Sequence, residues 1–150
     1  MTVPQAPEVR PASRQSVRTA ARWLLAAFLG LAGVLHLISP RPFLAQVPTW
    51  MPSPQAVVLV SGLVEIALAL TLLLPRISRV WAGWLVAAFF VLVFPGNIAQ
   101  YLSHTDAFGL DSDLARGVRL LFQPVLVVWA LWCTGAWSAL RRRGQRQSDA

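Results

Sequence analysis

The sequence predicts an all-α fold, a four-helix transmembrane bundle with both termini in the cytoplasm. Three observations carry that prediction. The hydrophobic fraction is 56%, above the roughly one-half usual for soluble domains. The apolar residues fall into four runs, each about as long as a bilayer core requires. The arginines are segregated between the connecting segments in the way membrane topology demands.

Residues 1–19 carry Pro4, Pro7 and Pro11 among Arg10, Arg14 and Arg18, with no apolar periodicity, and read as a disordered basic tail. The first helix is expected over about 20–38, where Trp23 to Ile38 follows Arg22 directly. Leu37-Ile38-Ser39-Pro40 lacks the small-residue pattern of a signal-peptide cleavage site, so the run is read as a retained helix. Pro40, Pro42, Pro48, Pro52 and Pro54 then exclude a continuous helix. With Phe43, Trp50 and Met51 among them, this stretch is expected to lie at the membrane interface, with one helical turn around 43–47.

The second helix is expected over 55–74, bounded by Pro54 and Pro75, and the segment 75–79 forms a tight turn. The third, over 80–102, contains Pro95-Gly96, a place for a kink. Residues 103–117, with Asp106, Asp111 and Asp113, read as an exposed loop. The fourth helix is expected over 118–140, and 141–150 form a basic polar tail. Together, 20–140 make one four-helix domain.

With the N-terminus inside, ten arginines (Arg10, Arg14, Arg18, Arg22, Arg76, Arg79, Arg141, Arg142, Arg143 and Arg146) fall on the cytoplasmic side. Three (Arg41, Arg116 and Arg119) fall outside, with the three loop aspartates. That distribution obeys the positive-inside rule and places the chain in the inner or plasma membrane as a multi-pass protein whose first partner is the lipid bilayer. The net charge of +7 therefore serves topology. The basic residues flank apolar runs and form no basic face interleaved with stacking aromatics, so no nucleic-acid partner is expected. Cys133 stands alone, which excludes an internal disulfide and a paired-cysteine redox motif.

The polar residues inside the runs are the candidates for function. Glu65 interrupts the second run near its middle, and a carboxylate at bilayer depth costs at least about 2.5 kcal/mol unless paired or neutralised. Converting sequence into depth places His36 near the outer end of helix one, and Asn97, Gln100 and Tyr101 on one face near the outer end of helix three. Arg119 and Gln123 lie near the outer end of helix four. These seven residues are expected to form an outward-facing polar pocket floored by Glu65. The plainer alternative is that Gln100 and Gln123 only hydrogen-bond between helices and His36 only anchors the interface. Ala26, Gly30 and Gly33 lie on one face of helix one, and Ser61, Gly62, Glu65 and Ala69 on one face of helix two; such stripes of small residues let membrane helices approach closely. No metal site is expected: the only histidines are His36 and His104, and the second reads as a loop residue.

Gly33-Val34-Leu35-His36-Leu37 with Pro40, then Phe43, Val47-Pro48, Met51-Pro52 and Pro54, then Ser61-Gly62-Leu63-Val64-Glu65, Leu74-Pro75 and Val93-Phe94-Pro95-Gly96-Asn97-Ile98, taken in order, resemble the DoxX-like family of four-helix membrane proteins. The resemblance spans about 20–140, and Gly96 stands where many relatives have alanine. It implies the same fold and marks His36, Glu65, Pro95 and Asn97 as motif positions without assigning them roles. The family's name-giving member is associated with a thiosulfate:quinone oxidoreductase, mycobacterial relatives with an oxidoreductase complex, and distant relatives with membrane chaperoning. Two functions follow as expectations. One is a non-catalytic or accessory protein whose pocket takes a small hydrophobic molecule or supports assembly of a membrane partner, with no cofactor of its own. The other is a quinone- or proton-linked subunit of an oxidoreductase system.

Overall fold

The computed structural model describes residues 13–74, 77–104 and 112–141. The tail calls over 1–12 and 142–150, the first two residues of the 75–79 turn, and Asp106 and Asp111 lie outside the described residues. The helices are α1 (Ser13–Ile38), α2 (Arg41–Leu44), α3 (Pro54–Leu73), α4 (Arg79–Leu102) and α5 (Asp113–Thr134). A short helical stretch follows over 136–141, and no strand occurs among the described residues. Four of the helices are long and apolar enough to cross a membrane. The twenty residues of α3 span about 30 Å, the thickness of a hydrocarbon core.

Local sequence explains the boundaries. Pro54 occupies the first turn of α3, where its missing N–H is not needed. Ser112 adopts extended backbone and its hydroxyl accepts from Ala115 N at 3.3 Å, while Asp113 meets the positive end of the α5 dipole. These caps start α5 at Asp113, five residues before the start expected from its apolar run. Gly135 ends α5 in the left-handed region at φ 77°, a conformation glycine adopts without penalty. The expected helix 118–140 is thus broken near its end. At the other margin, α1 begins at Ser13, so 13–19 are helical and the basic segment joins the bundle. Pro95 and Pro124 both lie inside continuous helices.

The long helices run alternately up and down. α1 packs chiefly on α3 and α4 chiefly on α5, with α1 against α5 joining the two pairs. The small-residue stripes set the first contact: Gly33 and Gly62 face each other so closely that a Cβ on either would lie within 3 Å of the other's carbonyl oxygen. The apolar core is built by Leu25 and Leu29 of α1, Leu68 and Leu72 of α3, Val86 and Phe90 of α4, and Leu126 and Ala130 of α5. It fills the middle of the bundle. Around it Leu24, Leu31, Leu63, Leu92 and Leu121 are each more than half exposed. A solvated monomer rarely carries so continuous an apolar belt, whereas lipid accommodates it without cost.

Candidate functional site

Most interior polar groups gather toward one end of the bundle, where α1 runs into α2 and α4 runs toward α5. They form two linked groups. The first joins α1 to α3. His36 lies one turn beyond Gly33, and the glycine contact brings its ring to the α3 backbone, with a Cβ at Gly62 falling 2.6 Å from His36 Cβ. In consequence His36 Nδ1 approaches Glu65 Oε2 to 3.0 Å, both side chains being 12% exposed. The same nitrogen lies 2.8 Å from Ala32 O. A carbonyl only accepts, so Nδ1 carries a hydrogen and directs it at Ala32. The approach to Glu65 is therefore a close contact rather than an aligned hydrogen bond, and Oε2, fully buried, is left without an aligned donor among the described residues. Phe43 of α2 stacks on the imidazole with centroids 3.6 Å apart.

The second group joins α4 to α5. Asn97 Nδ2 donates to Gln123 Oε1 at 2.9 Å, and Gln123 Nε2 donates to Phe90 O at 2.6 Å. Pro95, in the same helix, has no N–H for the ladder, which frees the carbonyl of Val91, four residues before it. Arg119 donates through one terminal nitrogen to Gln46 Oε1 and to Asn97 Oδ1, the latter at 3.4 Å. Gln46 in turn donates to Pro42 O at 3.2 Å. The segment carrying α2 thus bridges the groups, with Phe43 on His36 and Gln46 on Arg119. The Arg119 charge is also near enough to act on His36.

Of the seven residues proposed from sequence, His36, Glu65, Asn97, Arg119 and Gln123 belong to these groups. Gln100 is buried at 2% exposure one turn beyond Asn97. Tyr101 is 37% exposed and sits beside Gly117 of α5, outside the groups. Gln46 and Phe43 complete the site. Gln46 was not anticipated, because a proline-rich stretch has no periodicity from which to assign a face; its only signal was an amide between apolar neighbours. Further toward the rim, His104 Nδ1 and Arg116 each lie 2.8 Å from Asp113 Oδ1. Among the described residues, no three histidine, cysteine or carboxylate side chains group as a metal site.

Four apolar crossing helices with their polar groups turned inward define a multi-pass integral membrane protein. Residues 25–134 match the domain of unknown function DUF8561, and the chain belongs to that family. No curated protein and no solved structure matches it.

Proposed function

We propose that the chain is an accessory, non-catalytic membrane protein of the DoxX-like type, whose polar site receives the hydroxyl-bearing head of a small hydrophobic molecule presented to a partner protein. The observation that supports this is Glu65 Oε2, a buried carboxylate oxygen with no aligned donor among the described residues. Such an atom is costly in a low-dielectric interior, and a ligand hydroxyl would satisfy it. Phe43, stacked on the His36 that approaches Glu65, offers an apolar surface at the same site. On the arginine distribution this end faces away from the cytoplasm, and the membrane is the inner or plasma membrane.

A second reading, a quinone- or proton-linked subunit of an oxidoreductase, draws on the 3.0 Å approach of His36 and Glu65. Two titratable groups at that distance can pass a proton to a reduced quinone bound beside them. The redox centre would come from the partner.

One experiment compares the readings. The tagged chain, wild type or Glu65→Gln, is expressed in its native membranes, assayed for quinone reduction, then recovered in mild detergent. The accessory reading expects unchanged quinone reduction and a membrane protein recovered with the wild-type chain in constant ratio. A chain always recovered alone removes that reading, and at least a tenfold loss of quinone reduction in Glu65→Gln establishes the second.

A further inference from the structure

At the opposite end of the bundle from Glu65 a cavity of about 670 Å³ opens between the start of α1 and the end of α5. Arginine dominates its wall. Arg14, Arg18 and Arg22 recur at every fourth position of α1, one stripe of the helix, and Arg79, the first residue of α4, faces them. The Arg22 and Arg79 charges are close enough to act on each other. Arg22 Nε is fully buried and makes no hydrogen bond among the described residues. The Arg18 guanidinium sits over the Trp132 ring, 5.9 Å from its centroid, a contact that steadies a cation at the cavity wall. The hydroxyl and thiol at the floor are already engaged: Thr134 Oγ1 donates to Ala130 O at 2.7 Å and Cys133 Sγ to the same carbonyl at 3.6 Å.

Nothing described at this end balances the four cations. Among the described residues the carboxylates are Glu65 and Asp113, and both belong to the other end, Glu65 beside His36 and Asp113 beside Arg116 and His104. Topology alone would ask only that arginines flank the helix ends. It does not ask that three from one helix and one from another converge on a single cavity with a guanidinium nitrogen buried and unbonded.

We propose that this cavity binds a phosphate group, carried by an anionic phospholipid or as free phosphate. The planar guanidinium fork pairs two N–H donors with two phosphate oxygens. A lipid headgroup would reach the cavity from the bilayer surface, where basic pockets between helix ends attract anionic lipids. Free phosphate would enter from the aqueous phase at the same end. The chemistry at the arginines is the same in both cases. The site lies toward the other end of α1 from His36, shares no residue with the polar groups of the proposed function and is independent of them.

The test uses the full chain in detergent. Native mass spectrometry with equimolar phosphatidylglycerol and phosphatidylcholine of identical acyl chains reads lipid preference, and melting temperature in phosphate against chloride at matched ionic strength reads the free anion. A lipid site gives at least a tenfold preference for phosphatidylglycerol; a free-phosphate site gives a rise in melting temperature specific to phosphate. Either effect should fall at least tenfold, or vanish, in Arg22→Gln/Arg79→Gln. It should survive in Arg41→Gln, which alters an exposed arginine at the other end. Should the double variant fail to fold, Arg79→Gln alone, at an exposed position, should still weaken the effect severalfold. Equal binding of the two lipids together with no phosphate-specific stabilisation overturns the proposal. So does a preference left intact in a folded variant.

Discussion

Leucine at Gly62 is expected to abolish the α1–α3 contact, so that the purified protein loses its cooperative melt in detergent and elutes as aggregate. The backbones meet at Gly33 and Gly62 with no room for a side chain. A Cβ on Gly62 would lie 2.6 Å from His36 Cβ and 2.9 Å from Gly33 O, and one on Gly33 would lie 2.6 Å from Gly62 O and 2.8 Å from Ile66 Cγ1. Backbone cannot move aside as a flexible side chain can. Even alanine at Gly62 should cost about 1–3 kcal/mol, the usual range for overpacking, and leucine considerably more. Gly30 supplies the internal control. A Cβ there meets only Ala69 Cβ, at 3.7 Å, an ordinary contact, so Gly30→Ala should melt within a degree or two of wild type. The argument fails if Gly62→Ala and Gly30→Ala melt alike. Because the same contact carries His36 to Glu65, Gly62→Ala should also disturb the polar site.

That dependence explains how much of the molecule was legible in its sequence. The four crossings could be read because a bilayer imposes length and apolarity on every span at once, and the prolines at 54 and 75 bracket α3 on both sides. The stripes of small residues marked α1 and α3 as helices able to approach closely, but not which residues would meet across them, and the pairing of His36 with Glu65 is set by the Gly33–Gly62 contact. The margins were harder. Residues 13–19 carry too few apolar side chains to show a period, yet Arg14, Arg18 and Arg22 fall on one helical stripe. Counted only for charge, they hid the cavity they line. At α5 the start signal was present in Ser112 and Asp113, a cap followed by an acid in the first turn, but apolarity placed the helix later. Tyr101 shared a face with Asn97, and face alone could not say that the rim of the bundle leaves it beside Gly117. Membership in a domain family of unknown function adds no role for any of these residues.

Gln123→Leu is expected to weaken the pairing of α4 and α5 while leaving the bundle folded. The glutamine makes two interhelical bonds, accepting from Asn97 Nδ2 at 2.9 Å and donating to Phe90 O at 2.6 Å. Leucine fills similar space and makes neither. Hydrogen bonds between membrane helices are worth about 0.6–2 kcal/mol each, so the loss should be about 1–3 kcal/mol in reversible unfolding from mixed micelles. Part of that cost is the donor left behind on Asn97, and Asn97→Ala removes it. The double variant Asn97→Ala/Gln123→Leu should therefore lose less than the two single variants summed, by about 1 kcal/mol, the signature of direct partners. The effect should also travel. Asn97 Oδ1 helps to hold Arg119, and Arg119 holds Gln46, one turn beyond the Phe43 that covers His36. Faster amide exchange over 41–47 in Gln123→Leu would show that the α4–α5 amides set the position of the segment over the His36–Glu65 pair. Unchanged exchange there, with no coupling between Asn97 and Gln123, would mean that the two polar groups are neighbours without being mechanically joined.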